Sequence, residues 1–254
     1  MEKETPPGYS LNNKEFTPIE FSRYKLISRM LKRIPLNRDN SCLEIGCGNG
    51  SFISYVSNQM GLRAMGIDIS EKSVSCAKNK NPSAVILKKS LFEIEDEYDI
   101  VFCFEVLEHI ENDYDAIKKI SLLLKKNGFF MLSVPADPSL YFDTIDKYYG
   151  HYRRYEKNKL INLLKANNLK IVYFWSYGLK LASFIASMVF SYRGRKGIEF
   201  GAIGDSLYEI NYPRYWEKII HPAISLFYPL FHLYDLLFLK YDFGHSYLVL
   251  CQKE

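Results

Sequence analysis

The sequence predicts an α/β fold, a mostly parallel sheet with helices on both of its faces. Three observations carry that expectation. Short apolar runs of strand length alternate along the chain with longer segments of helical periodicity, the pattern that βαβ crossovers require. The first apolar run, Cys42–Ile45, breaks into Gly46, Gly48 and Gly50. The second, Leu62–Ile67, ends on an acidic residue, Asp68.

Each element follows from local signals. Residues 1–15 are polar and read as a flexible arm. Thr17 and Pro18 open a helix that runs to about Ile34, with Ile19, Leu26, Ile27, Met30 and Leu31 on one face. Strands are expected at Cys42–Ile45, Leu62–Asp68, Ala84–Leu87, Tyr98–Phe104 and Phe129–Val134, the last closed by Pro135. Helices are expected at Ser51–Met60, Glu71–Lys80 and Asn112–Lys125, with Lys125, Lys126 and Gly128 as a C-terminal signal. A helix at Glu156–Ala166, a strand at Lys170–Trp175 and a final strand at Ser246–Cys251 complete the pattern. Ligands of such sheets bind beyond the carboxyl ends of the strands. Gly46–Gly50, Asp68, Phe104–His109 and Val134–Asp137 are therefore expected to converge.

Composition narrows the class. With 48% hydrophobic residues, the chain can bury a core. A net charge of +4 is too mild to argue for nucleic acid, and no recognition module is evident. The five cysteines form no C-x-x-C pair, which fits a reducing cytoplasmic setting. The polar N-terminus has no signal-type apolar stretch, so export is not expected.

The glycine loop is informative through its spacing. Glycine lets backbone approach a ligand closely, and an acid ending the next strand suits the two hydroxyls of a ribose. Position 51 is Ser, so the dinucleotide fingerprint G-x-G-x-x-G is not met. The string is instead E-x-G-x-G-x-G, from Glu44 to Gly50. Together with GIDIS at Asp68, YDIVFCFEVLEHI at Tyr98–Ile110 and the strand after NGFFMLSVP, it resembles the class I S-adenosylmethionine (SAM) methyltransferases. The segment from Tyr148, YYGHYRRYEKNKLINLL, is similar to the GHxRxY element of small-molecule members, including ubiquinone-biosynthesis-like enzymes.

The resemblance covers about residues 17–177 and 244–253. It implies a Rossmann-like seven-stranded sheet whose last strand is antiparallel. It also implies SAM as cofactor, with Glu44, Gly46, Gly48, Gly50 and Asp68 holding it and Ile69, Ser90, Leu91 and Glu105 completing the pocket. Relatives place an acid after the third strand for the adenine amino group. Here Lys88, Lys89, Ser90, Leu91 and Phe92 stand there, leaving Ser90 to accept weakly and Leu91 or Phe92 to pack on the ring. Arg23 either holds the SAM carboxylate, as an arginine does in some relatives, or is a solvated surface residue.

Glu105, Glu108 and His109 read E-x-x-E-H, a spacing that shares one face if the segment is helical. Three roles compete. His109 can be a general base or substrate contact, since an imidazole titrates near pH 6.5. The three can bind a divalent metal with His151, as the similar string does in small-RNA 2′-O-methyltransferases and some ubiquinone O-methyltransferases. Or the string caps and packs. His151 is expected in the pocket, with one of Arg153 and Arg154 structural. His109 and His151 are the candidate catalytic residues.

Residues 178–243 interrupt what is a short hairpin in the family, and form an apolar helical insertion. The division is then 1–40 arm and first helix, 41–177 core, 178–243 insertion and 244–254 final strand. Lys180, Ser183, Ser187 and Ser191 make a polar stripe on one expected helix. His221, Ser225, His232 and Asp235 make another on a helix from about Tyr215 to Lys240. The first run is shorter than the ~20 residues of a membrane span, and the second carries Pro222 and Pro229. The segment is expected to act as a lid, a homodimer surface or a peripheral membrane contact, with Arg193, Arg195 and Lys196 toward anionic groups. The acceptor is expected to be a small, largely apolar or lipid-like molecule methylated on oxygen or nitrogen. The alternative is a SAM-binding module without catalysis, associated with a membrane or a partner.

Overall fold

The computed structural model describes residues 18–82, 84–136, 146, 150–179 and 228–254. Its strands are β1 Ser41–Ile45, β2 Arg63–Asp68, β3 Val85–Lys88, β4 Tyr98–Phe104, β5 Leu124–Pro135, β6 Leu169–Leu179 and β7 Gly244–Lys253. Its helices are α1 Pro18–Leu31, α2 Ser51–Asn58, α3 Glu71–Lys80, α4 Asp113–Leu122, α5 Lys157–Lys165 and α6 Tyr228–Phe238. The strands form one sheet in the order β3-β2-β1-β4-β5-β7-β6. β7 runs antiparallel to both its neighbours, and the pairings among β1 to β5 are parallel.

Both sheet faces are apolar because central parallel strands are buried on two sides. On one face Leu26, Ile27 and Met30 of α1 and Phe52 and Val56 of α2 pack on Ile100, Phe102, Met131 and Leu250. On the other, Ala116, Ile117 and Ile120 of α4 and Leu160 and Leu164 of α5 pack on Val101, Cys103, Leu132 and Val249. Helices thus cover both faces, as the alternation predicts.

A polar tie fixes the amino ends of the central strands. Asp99 Oδ2 accepts from the Ser41 N–H (2.7 Å), the Ser41 hydroxyl (2.8 Å) and Lys125 Nζ (2.8 Å). One carboxylate therefore joins β1, β4 and β5. Burial pushes its pKa up, but these donors outweigh it and hold the group at about 2.

The chain departs from the expected boundaries where a turn replaces regular structure. The expected helix Asn112–Lys125 stops at Leu122, and β5 begins at Leu124. Asn127 adopts a φ of 60°, and a Cβ on Gly128 would lie 2.8 Å from the Lys125 carbonyl oxygen. The glycine that looks like a helix stop instead serves a tight bend at the start of the strand.

Of the insertion, residues 178–179 and 228–243 are described, the latter forming α6 and the turn after it. The polar stripe of α6 faces inward. Asp235 accepts from the Gly178 N–H at 2.8 Å and from the Ser22 hydroxyl of α1, and His232 Nδ1 lies 3.1 Å from Ser22 Oγ. His221, Ser225, the first stripe and the basic stretch Arg193–Lys196 lie outside the described residues, as does the N-terminal arm.

Candidate active site

The carboxyl ends of β1 and β2 build the first half of the site. Gly46, Gly48 and Gly50 have φ of +69°, +52° and +74°, values that L side chains rarely adopt. A Cβ on Gly46 would collide with the Val106 side chain, and one on Gly50 would lie 2.8 Å from Ala77 Cβ. The loop is thus held between the turn that follows β4 and helix α3. Asp68 completes it: Oδ2 accepts from the Gly48 N–H (2.9 Å) and Oδ1 from the Ser70 N–H (2.8 Å).

Glu44 is buried beneath this loop, with one carboxylate oxygen unpartnered. Burial, reinforced by Asp68, raises its pKa well above the usual carboxylate value; Arg23 and the Ile53 N–H oppose the shift. Because Ile53 lies in the first turn of α2, Glu44 sits where that helix leaves N–H groups unsatisfied. Ile69 is exposed next to Asp68. Ser90 opens a short 3₁₀ turn, Leu91–Glu93, and its N–H is bound by Glu93 Oε2 at 2.7 Å. Leu91 projects into the core, while Phe92 is exposed beside it.

Past β4 the E-x-x-E-H string is not an α-helix, contrary to the expected shared face. Glu105 has a φ of 54°, and only Leu107–His109 form a 3₁₀ turn. The bend gives the two carboxylates different surroundings. Glu105 pairs with Arg23 of α1 (3.4 Å), so Arg23 is neither solvated nor isolated. Glu108 turns inward, fully buried, with both oxygens unpartnered. Burial and the nearby Glu105 raise its pKa well above the usual range.

His109 and His151 meet edge to face, with ring centroids 4.7 Å apart. Donor atoms of Glu108, His109 and His151 lie within 4.8 Å of one another. Burial, and then the neighbouring His151, lower the His109 pKa. The loop that brings His151 is anchored along its length. Tyr152 N–H donates to the Glu108 carbonyl (2.8 Å), and Tyr155 N–H to the Pro135 carbonyl (2.9 Å). Arg153 binds the Ile110 carbonyl (2.7 Å) and pairs with Asp113 (3.3 Å). Arg154 pairs with Asp146 at 2.8 Å. Both arginines, not one, are thus engaged in structure.

Four residues of this region carry no motif in the sequence. Asp146 is buried against His151 and Arg154. His245, at the start of β7, is pushed down to about pKa 4 by burial and then by Arg154, with Glu105 and Asp146 opposing. Ser133 and Tyr177 are buried near the ends of β5 and β6, where the Tyr177 hydroxyl faces Ser133 and Ser246. Tyr177 alone had a usable signal, a tyrosine ending an apolar run.

This sheet order, with its left-handed glycine loop and Asp68 bonded into it, is the Rossmann-like arrangement expected of the class I methyltransferase fold. The family described as "Methyltransferase domain" matches residues 19–181, and the chain belongs to it. A 27-O-demethylrifamycin SV methyltransferase of Amycolatopsis mediterranei is 25% identical over 167 residues, covering 55% of this chain and 61% of the relative. A ubiquinone biosynthesis O-methyltransferase of Pelagibacter ubique is 34% identical over 98 residues, covering 36% and 40%. The chain therefore spans 61% and 40% of the length of these curated relatives. Among solved structures, the YcgJ protein of Bacillus subtilis aligns with a TM-score of 0.59 at 15% identity, covering 91% of this chain and 99% of that one. A geranyl diphosphate C-methyltransferase of Streptomyces coelicolor aligns at 0.58 and 11%, covering 92% and 84%. At such identities the likeness concerns the fold alone.

Proposed function

We propose that this protein transfers the methyl group of SAM to an oxygen or nitrogen of a small, largely apolar or lipid-like acceptor. One observation carries the reading. Among the described residues, Glu44 and Glu108 keep buried carboxylate oxygens without a hydrogen-bond partner, and Glu105, Ser133 and Tyr177 add buried polar groups that face Arg23 and one another. All five lie at the carboxyl ends of β1, β4, β5 and β6 or just beyond, where sheets of this type bind ligands. Buried polar atoms are normally satisfied, so this clustering marks the place a polar ligand completes.

SAM, when bound, supplies an electrophilic methyl group on sulfur. Gly46, Gly48 and Gly50 admit its close approach, Asp68 takes the ribose hydroxyls, and Ile69 and Ser90 border the adenine, with exposed Phe92 in place of the core residue Leu91. Glu44 orients the loop, and the Arg23–Glu105 pair faces the amino-acid end. On the acceptor side His109 and His151 orient the nucleophile and accept its proton. Positioning can supply about 7–11 kcal/mol of the barrier. A base adds about 10²–10⁴-fold where the acceptor must lose a proton. The names of both curated relatives specify O-methylation, which favours oxygen.

Calorimetry with SAM and its demethylated product, followed by transfer of radiolabel from SAM into a cell extract, tests the reading. Tight binding with a labelled small molecule is expected. Binding with no labelled product would favour the non-catalytic module.

A divalent metal fits one part of the site. Glu108, His109 and His151 offer a mixed oxygen and nitrogen donor set within 4.8 Å, suited to Zn, Mn, Fe or Mg. An ion there would supply Lewis acidity toward an acceptor hydroxyl. Activity that survives exhaustive chelation would exclude the requirement.

The exposed side of α6 carries Leu230, Leu233 and Leu237, with Tyr241 and Phe243 stacked beyond its end. Among the described residues no helix is long and apolar enough to cross a membrane. This face supports peripheral contact with a cytoplasmic membrane surface or a homodimer. Flotation with anionic vesicles separates the first from the second, which sedimentation equilibrium detects.

A further inference from the structure

We propose that Asp146 is the positioning residue of the site, fixing which ring nitrogen of His151 carries the proton. The inference rests on the reading of His151 as an acceptor-side residue and adds what sets its state.

Asp146 holds His151 twice. Its backbone carbonyl accepts the His151 N–H at 2.9 Å, and its Oδ1 lies 2.8 Å from His151 Nδ1. The backbone bond spans six residues, with Gly150 at a φ of 72° just before its end. A glycine in the left-handed region lets the next N–H turn back toward Asp146. The turn therefore places His151 beside Asp146 before any side chain is considered.

The side-chain chemistry then allows one arrangement. Asp146 is 1% exposed, and its Oδ2 accepts from Arg154 Nε at 2.8 Å. A buried carboxylate is costly unless paired, and Arg154 supplies the compensating charge. An ionised carboxylate only accepts hydrogen bonds. The His151 nitrogen it meets must therefore be the donor, so in the neutral ring Nδ1 bears hydrogen and Nε2 keeps the lone pair. A lone pair on Nε2 is what either a proton acceptor or a metal ligand needs, so the assignment holds for both chemistries.

Arg154 also sets the outcome of Asp146→Asn. Its guanidinium only donates, so the amide must turn its oxygen toward Arg154 and its NH₂ toward His151. Nδ1 would then have to accept, and the proton moves to Nε2. The wrong tautomer of a histidine base can lower turnover by about 10⁴-fold with geometry intact.

Long-range ¹H–¹⁵N spectra of the imidazole rings, recorded on the full chain at mildly alkaline pH, test this directly. The His151 signals are identified by their loss in His151→Gln. The wild-type protein is expected to show the Nδ1–H tautomer; an Nε2–H tautomer there would overturn the proposal, without any variant having to fold. Asp146→Asn should switch His151 to Nε2–H and reduce kcat at least about 100-fold, with SAM affinity unchanged. An unswitched ring or full turnover in that variant would overturn it. If wild type shows Nδ1–H yet transfers no methyl group, the methyltransferase reading fails and the Asp146 assignment stands.

Discussion

Asp68 Oδ2 accepts the N–H of Gly48 at 2.9 Å, so the carboxylate ending β2 also holds the loop that follows β1. In the proposed function the same group has two tasks, shaping the loop and meeting the ribose. Asp68→Asn removes the charge but keeps the size. A hydrogen bond to a charged group is worth about 1.5–3 kcal/mol, and 1.4 kcal/mol is about tenfold. SAM affinity measured by calorimetry is expected to fall about 10–100-fold. Unaltered affinity would remove Asp68 from the ribose.

Gly46 tests the loop from the other direction. Its φ is +69°, and an added Cβ would collide with Val106. Gly46→Ala is expected to cost about 1–2 kcal/mol from the left-handed backbone alone, read as a lowered denaturation midpoint, with the collision added. Combining it with Val106→Ala should recover the collision and leave the backbone cost. Complete recovery would refute the conformational part.

The anchorage of α6 should depend on pH through His232. Burial first, and then the cations Lys25 and Arg29, push its pKa down to about 4. Phe21 and Ser22 face the same ring, and Asp235 shares Ser22 with it. An unfolded histidine titrates near 6.5, so the unfolded chain takes up the proton first as pH falls. The folded state therefore loses stability between about pH 6.5 and 4. Hydrogen exchange in α6 should rise over that window in wild type and less in His232→Gln, with the difference cancelling the opposing contribution of Asp235. Parallel profiles would reject the role.

Asp99 makes the complementary prediction at lower pH. Its folded value of about 2 lies below its usual 3.8. Its contribution is complete above about pH 4 and is lost as pH falls toward 2. The acid transition of Asp99→Asn should lack that portion of the wild-type slope, measured by circular dichroism. Identical slopes would show that the tie to Ser41 and Lys125 does not stabilise the sheet.

The parts legible in sequence are those with a repeating or covalently local signal. The spans of α3 and β4 coincide with expectation because a serine cap marks the start of one and the apolar run Ile100–Phe104 fills the other. The glycine loop was legible because its requirement for positive φ is written in residue type. E-x-x-E-H misled because a helical reading assumes a period, and a single residue at φ 54° cancels it. Asp146, Ser133 and His245 were illegible for another reason. Each is one polar residue whose meaning comes from neighbours on other segments, such as Arg154 beside Asp146 and the end of β5 beside His245.

Leu179 and Gly244 are register partners in the sheet, and the Gly244 N–H is bound by Ser176 Oγ at 2.8 Å. The two ends of residues 180–243 are therefore brought together by the β6–β7 pairing itself. Closing a loop grows more costly only slowly with length, by about 0.6 kcal/mol per doubling. The sheet is consequently almost indifferent to how long that excursion is. The length of that excursion can therefore drift while its last helix stays tied to α1 through Asp235 and Ser22.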